Sequence, residues 1–180
     1  KLDINDENMA FVFLLSKLLK ISKKDFLNSL KTFKGLPHRY EIFLKKKNCI
    51  FINDSKATTF QATKYALKNT KNIFWIVGGQ PKKNEKILLK SLKKNIVKSY
   101  LIGKNINFFK KQIKFNVEYF IAGNLKNSIV QIMRDIRTQN RKNNSILLSP
   151  ASASYDQFSN FEDRGNKFKK LSIKYARKYI

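Results

Sequence analysis

The chain has 180 residues, 42% of them hydrophobic, which suffices for one full domain and part of another and argues against disorder. No apolar run approaches the ~18 residues that cross a bilayer, and the lone cysteine, Cys49, excludes an internal disulfide or a cysteine zinc cluster, as a reducing cytoplasm would favour. The net charge of +26 invites a nucleic-acid reading, but 32 of the 38 basic residues are Lys, scattered along the chain, whereas groove readers lean on Arg. The excess of Lys, Asn and Ile carries the mark of an A+T-rich coding sequence, so non-specific attraction of anions is expected and specific nucleic-acid binding is not. Lys1-Leu2-Asp3-Ile4 has no apolar h-region and no initiator Met, as expected of a piece of something longer.

In chain order, apolar positions at helical spacing (Met9, Val12, Phe13, Leu15, Leu19) predict a helix over 5–19. Ser22, with Asp25 three residues on, opens a second helix, and Lys34-Gly35-Leu36-Pro37 ends it; the domain boundary is placed there, dividing 1–33 from 34–180. Tyr40–Leu44 and Cys49–Ile52 read as a hairpin joined by Lys45–Asn48. Strands are then predicted at Ile73–Val77, Val97–Ile102, Val117–Ile121 and Ser145–Leu148. They alternate with helices at 59–69, 84–94, 105–113, 124–139 and 161–178. Short apolar runs alternating with amphipathic helices predict an α/β fold, a Rossmann-like, mostly parallel sheet with helices on both faces. Ligands of such sheets bind beyond the carboxyl ends of the strands, so the loops there are the ones to read.

After Ile52 runs Asn53-Asp54-Ser55-Lys56-Ala57-Thr58, a polar loop leading into a helix, where free N–H groups attract an anion. Asp54 could accept ribose hydroxyls, and Lys56 and Thr58 could meet a phosphate or carboxylate; an ordinary capped strand-to-helix loop reads equally well. After Val77, Gly78-Gly79-Gln80-Pro81-Lys82 permits a tight turn or close ligand approach, or is a plain glycine turn with solvated lysines. After Leu148, the small residues of Ser149–Ser154 allow close approach, and Ser154 with Gln157 reads as a capping box that leaves N–H groups free for a ligand, or the run is a small-residue turn with ordinary caps. Arg39, beside the boundary, is a candidate phosphate contact, while His38, the only histidine, has no triad partners. Asn5 and Asn8 share one helix face and either read an adenine edge or cap the helix. No Gly-x-x-x-x-Gly-Lys-Ser/Thr loop occurs.

Taken together, Gly35-Leu36-Pro37-His38-Arg39, Asn53–Thr58, Gly78-Gly79 with Lys82, and Leu148–Phe158 followed by Asn160-Phe161-Glu162-Asp163-Arg164-Gly165 resemble the Mur ligases over nearly the whole chain. Asn5-Asp6-Glu7-Asn8 is similar to the Asn-x-x-Asn at the end of that family's central domain, and the Ser-Lys-Ala-Thr and Asp-Gln-Phe wording resembles the members that add D-glutamate. The resemblance implies an ATP- and magnesium-dependent ligase that joins D-glutamate to UDP-N-acetylmuramoyl-L-alanine in peptidoglycan precursor synthesis. Residues 1–33 would end the central ATP-binding domain and 34–180 would form the C-terminal domain. It further implies Asn5 and Asn8 near adenine, Arg39 at the ATP phosphates, Asp54 at the ribose and Lys56 as the catalytic residue at the reacting phosphate. Thr58, Lys82, Ser154 and the backbone of Phe161 would hold D-glutamate. The phosphate loop and magnesium ligands would lie upstream, with no metal ligands in this chain, and a cytoplasmic monomer with small-molecule partners is expected. Two departures stand out: Thr59 where the family usually has Asn, and Ser152 where Cys is common. Another amino-acid ligase of the same family, or a basic nucleic-acid-binding module, is the competing reading.

Overall fold

A computed structural model describes residues 6–139 and 141–179. It divides into two compact units, Lys1–Gly35 and Leu36–Ile180. In the first, α1 (Asp6–Leu18) and α2 (Lys23–Thr32) form a helical pair. Ser22 caps α2 by accepting from the Asp25 N–H at 3.1 Å, and Phe13 meets Phe26 edge-to-face at 5.4 Å. Phe11, Leu14, Leu18 and Leu19 remain well exposed in this unit.

The second unit holds one six-stranded sheet. Its strands are β1 (Glu41–Lys46), β2 (Cys49–Asn53), β3 (Ile73–Gly78), β4 (Ile96–Ile102), β5 (Tyr119–Gly123) and β6 (Asn144–Leu148), in the order β1-β2-β6-β3-β4-β5. Only the β1–β2 hairpin is antiparallel, closed by a tight turn at Lys47-Asn48 with Lys47 at φ 48°. All other pairings are parallel. The crossovers are α3 (Phe60–Asn69), α4 (Ile106–Ile113) and α5 (Leu125–Gln139), and α6 (Phe161–Tyr179) closes the chain. Strand periodicity assigns the two cores. Ile73, Trp75 and Val77 join α3 and α4 residues such as Phe60, Leu67 and Phe109. Phe74 and Ile76 pack on the other face with Ile129, Met133 and Phe168 of α5 and α6. With both faces covered, β3 is wholly buried, as a central parallel strand must be.

Two expectations need correction. Residues 84–94 form no α-helix; only a 3-10 turn, Lys93–Asn95, precedes β4. The segment is held extended from outside: the Glu85 carboxylate accepts from the Phe60 N–H at the start of α3 (2.8 Å), and Gln112 of α4 accepts from the Ile87 N–H (2.6 Å). Ile87 and Leu89 are buried while Leu88 points out, a two-residue alternation that overrides the helical spacing. β5 starts two residues later than read from the sequence, because turns closed by the Asn116 and Val117 N–H groups on the Ile113 carbonyl extend α4.

Candidate functional site at the carboxyl edge of the sheet

Because β2, β6, β3, β4 and β5 run parallel, their following loops lie along one edge, and β2, β6 and β3 are neighbours. The loops bearing Thr58 (after β2), Ser154 (after β6) and Lys82 (after β3) therefore follow three adjacent strands. They are stitched together by the protein itself. The Asp54 N–H donates to the Leu148 carbonyl at 2.8 Å, the Gly78 N–H to Pro150 at 3.0 Å, and Gln80 and Ala153 exchange a pair of backbone bonds at 2.9 Å.

The glycine pair serves this stitching. A Cβ on Gly79 would lie 2.4 Å from the Ala153 carbonyl and 2.6 Å from Ser152 Oγ, and one on Gly78 would collide with the Ile102 carbonyl. Both glycines have φ 135°. The close approach expected of a ligand is here an approach of neighbouring loops. Beyond them, Lys82 is exposed and Thr58 half-buried, while Ser154 is buried.

Ser154 starts no helix. Its carbonyl accepts from the Gln157 and Phe158 N–H groups in a single turn, and the Gln157 side chain reaches the Gly123 carbonyl at 2.9 Å instead of returning to Ser154. The helix start falls at α6, where Asn160 Oδ1 accepts from the Asp163 N–H (2.7 Å) and Asp163 Oδ2 from the Ser159 N–H (3.2 Å), a reciprocal cap with Glu162 and Asp163 in the first turn. Phe161 is its first residue, and its carbonyl accepts from Ser55 Oγ at 2.8 Å.

Asp54 is buried and already engaged: Oδ1 accepts from the Tyr40 N–H at 3.1 Å, and Oδ2 from Ser149 Oγ at 2.6 Å. Burial pushes its carboxyl up to about 6, against the opposing pull of these two bonds and of the Arg39 charge. A carboxylate has about four lone-pair sites, so two stay available. Arg39 is exposed and forms no ion pair among the described residues. His38 is buried with φ 62°. Its Nδ1 lies 2.9 Å from Asn53 Nδ2, and burial first, then Lys169, holds its pKa below the usual value. Its place is structural, against Gly165, where a Cβ would overlap the ring.

Lys56 projects from the same loop, with its N–H on the His38 carbonyl and its ammonium 3.8 Å from the centre of the Phe161 ring. Thr59, one of the two departures, caps α3 by accepting from the Ala62 N–H at 3.2 Å, a task Asn performs equally well. Ser152 is buried, with Oγ on the Pro150 carbonyl at 3.2 Å. Asn8 lies exposed on α1 in the other unit, and Asn5 falls outside the described residues.

Sequence reasoning passed over Arg164. It is completely buried under the loops: Nε donates to Ser55 Oγ (3.0 Å), and Nη2 to the carbonyls of Ser55 (2.8 Å) and Ser152 (3.0 Å). It thereby ties the loop after β2 to the loop after β6 with no ion pair among the described residues, and burial depresses its pKa to about 10 against the opposing pull of Asp156. The signal was present: Arg164, Phe168, Ser172 and Ala176 recur every four residues, which sets Arg164 on the buried stripe of α6. Asp156 and Asn105 were also missed. Asp156 accepts from the Lys104 N–H at 2.8 Å, and Asn105 donates to the Gly79 carbonyl at 3.0 Å. Among the described residues no group of three or more His, Cys, Asp or Glu side chains is placed to hold a metal ion, and no helix is long and apolar enough to cross a membrane.

No protein-family model matches the chain. Curated relatives do. Over 167 residues it is 38% identical to the UDP-N-acetylmuramoylalanine–D-glutamate ligase of Wolbachia sp. subsp. Brugia malayi, covering 91% of this chain and 33% of that protein. The enzyme of the same name from Rickettsia felis is 36% identical over 172 residues, covering 96% of this chain and 38% of the relative. The chain thus spans about a third of the length of the curated relatives it matches. Among solved structures, the MurF ligase of Thermotoga maritima in complex with ADP superposes with a TM-score of 0.60 at 16% identity, over 96% of this chain and 38% of that one. MurF from Acinetobacter baumannii gives 0.57 at 14% identity, over 88% and 35%. At such identities the structures speak for the fold.

Proposed function

We propose that the chain belongs to the Mur ligase family and is the amino-acid-binding part of an ATP-dependent ligase that adds D-glutamate to UDP-N-acetylmuramoyl-L-alanine. Residues 36–180 act as the C-terminal domain, and the α1–α2 unit as the end of the ATP-binding domain. The observation that carries this reading is the edge shared by three adjacent parallel strands, whose loops bear Thr58, Lys82 and Ser154. An ammonium, two hydroxyls and the N–H groups at the start of α6 suit a dicarboxylate. Arg39 and Lys56, which form no ion pair among the described residues, suit a phosphate, and Asp54 retains lone pairs for ribose hydroxyls. Asn5 and Asn8 would read the adenine.

In the reaction ATP activates the L-alanine carboxylate as an acyl phosphate, the D-glutamate amine attacks its carbonyl carbon, and inorganic phosphate leaves. This chain contributes position and charge. Lys82 and the α6 N-terminus fix the glutamate carboxylates so that the amine faces the carbonyl, and Lys56 and Arg39 neutralise phosphoryl charge. On this reading the magnesium ion is held by residues outside this chain.

The test is D-glutamate titrated into the isotope-labelled chain. Saturable shifts at Thr58, Lys82, Ser154 and Phe161, weaker with L-glutamate, are expected. Shifts confined to scattered surface lysines, equal for both enantiomers, would return the chain to the class of merely basic proteins.

A further inference from the structure

We propose that the Phe161 side chain is a positioning residue for Lys56: its ring face seats the ammonium beside the loops at the carboxyl edge of the sheet, so that the remaining N–H donors meet a phosphate-type oxyanion. The role of that oxyanion in a ligase rests on the reading above; the seat itself does not. Six lysines lie over aromatic rings among the described residues. Five are local pairs, one or four residues apart, with the ammonium 4.5–6.0 Å from the centroid. Lys56 stands on the loop after β2 and Phe161 opens α6, far apart in sequence, with the ammonium 3.8 Å from the ring centroid. Such a contact is made by the fold rather than by neighbourhood.

Both partners are fixed from beneath. The Phe161 ring meets His38 edge-to-face at 5.9 Å and 81°, and the Phe161 carbonyl is held by Ser55 Oγ. Lys56 is held by its N–H on the His38 carbonyl at 3.0 Å. His38 in turn is locked by Asn53 and by the Glu41 carboxylate on its own N–H at 3.0 Å. The absence of a Cβ at Gly165 is what lets the His38 ring lie there. The buried histidine thus carries both ends of the pair, which gives this solitary His a purpose that no triad supplied.

The chemistry favours this arrangement over an ion pair. A carboxylate beside Lys56 would cancel the charge meant for the ligand, and no ion pair to Lys56 exists among the described residues. A ring face attracts the cation through its quadrupole, leaves its charge intact and leaves N–H donors for an oxyanion on the far side. It also restrains a side chain that otherwise loses much rotamer freedom on binding, so the ligand meets a preorganised cation.

The probe is inorganic phosphate, followed by NMR of the Lys56 side chain in the 180-residue chain. The Lys56 ε-methylene protons are expected to be shifted upfield by the ring, to lose that shift in Phe161→Leu, to keep it in Phe161→Tyr, and to respond to phosphate. Phosphate should bind about three- to tenfold more weakly to Phe161→Leu than to wild type or Phe161→Tyr. Unshifted Lys56 protons in wild type, or a Lys56 that ignores phosphate, would overturn the proposal even if Phe161→Leu failed to fold, and so would equal phosphate affinity in a folded Phe161→Leu. A Lys56 that responds to phosphate while D-glutamate leaves Thr58, Lys82 and Ser154 unmoved would uphold the seat and sink the ligase reading alone.

Discussion

Replacing Asp54 by Asn should make the protein more stable at pH 8 and, on the proposed reading, weaken its contact with nucleotide. The carboxylate is buried, and burial lifts its carboxyl from 3.8 to about 6 in the folded state. A raised acid pKa means the folded protein holds the proton more tightly than the unfolded chain does. The associated stability is fully present below about 3.8 and is lost as pH rises through about 6. At ~1.4 kcal/mol per pH unit, the ionised carboxylate costs the native state about 3 kcal/mol at pH 8. Asn avoids the charge, and its oxygen still accepts from the Tyr40 N–H, but the Ser149 contact must be remade with donor and acceptor exchanged, at a cost of about 1 kcal/mol. Asp54→Asn should therefore gain about 2 kcal/mol at pH 8, and the gain should fall to zero between about pH 4 and 5 and turn into a small loss below that. Urea unfolding of both proteins from pH 4 to 8 measures the difference. Parallel stability curves, or a variant less stable at pH 8, would refute the argument. In the parent ligase the same change should raise KM for ATP, so Asp54 would be a group retained for the ligand against the interest of the fold.

Gly79→Ala should cost about 2–5 kcal/mol in urea unfolding, because φ 135° and a Cβ within 2.6 Å of Ala153 and Ser152 each add strain; a change below ~0.5 kcal/mol would mean the loops pack less closely than described. The chain alone should release no ADP from ATP above buffer background, since it contains no phosphate loop to hold a triphosphate with its metal; release that disappears in Asp54→Ala would contradict this.

Much of the fold was legible because its strands are short apolar runs that parallel pairing buries, as Phe74-Trp75-Ile76-Val77 shows. What escaped was set by partners distant in the chain. The spacing of Ile87, Leu88 and Leu92 suits a helix, and nothing in those residues reveals that Glu85 and Gln112 will hold the segment open. Ser154 and Gln157 have the right spacing for a capping box, but Gln157 finds the Gly123 carbonyl instead. The polar loops after β2, β3 and β6 were identified as the place to look because parallel topology fixes their side of the sheet. Which of their side chains hold the loops together and which face a ligand was not legible. Arg164 is spent on bracing the loops and Asp54 braces them with part of its carboxylate, whereas among the described residues Lys56, Lys82 and Arg39 form no ion pair.

The most direct test of the account is Lys82→Ala in the full-length parent enzyme, with steady-state kinetics for both D-glutamate and ATP. Loss of one charge-assisted contact of about 1.5–3 kcal/mol should raise KM for D-glutamate roughly ten- to a hundredfold, with KM for ATP little changed. An unaltered KM for D-glutamate, or an equal rise for both substrates, would contradict the assignment of the carboxyl edge as the amino-acid site.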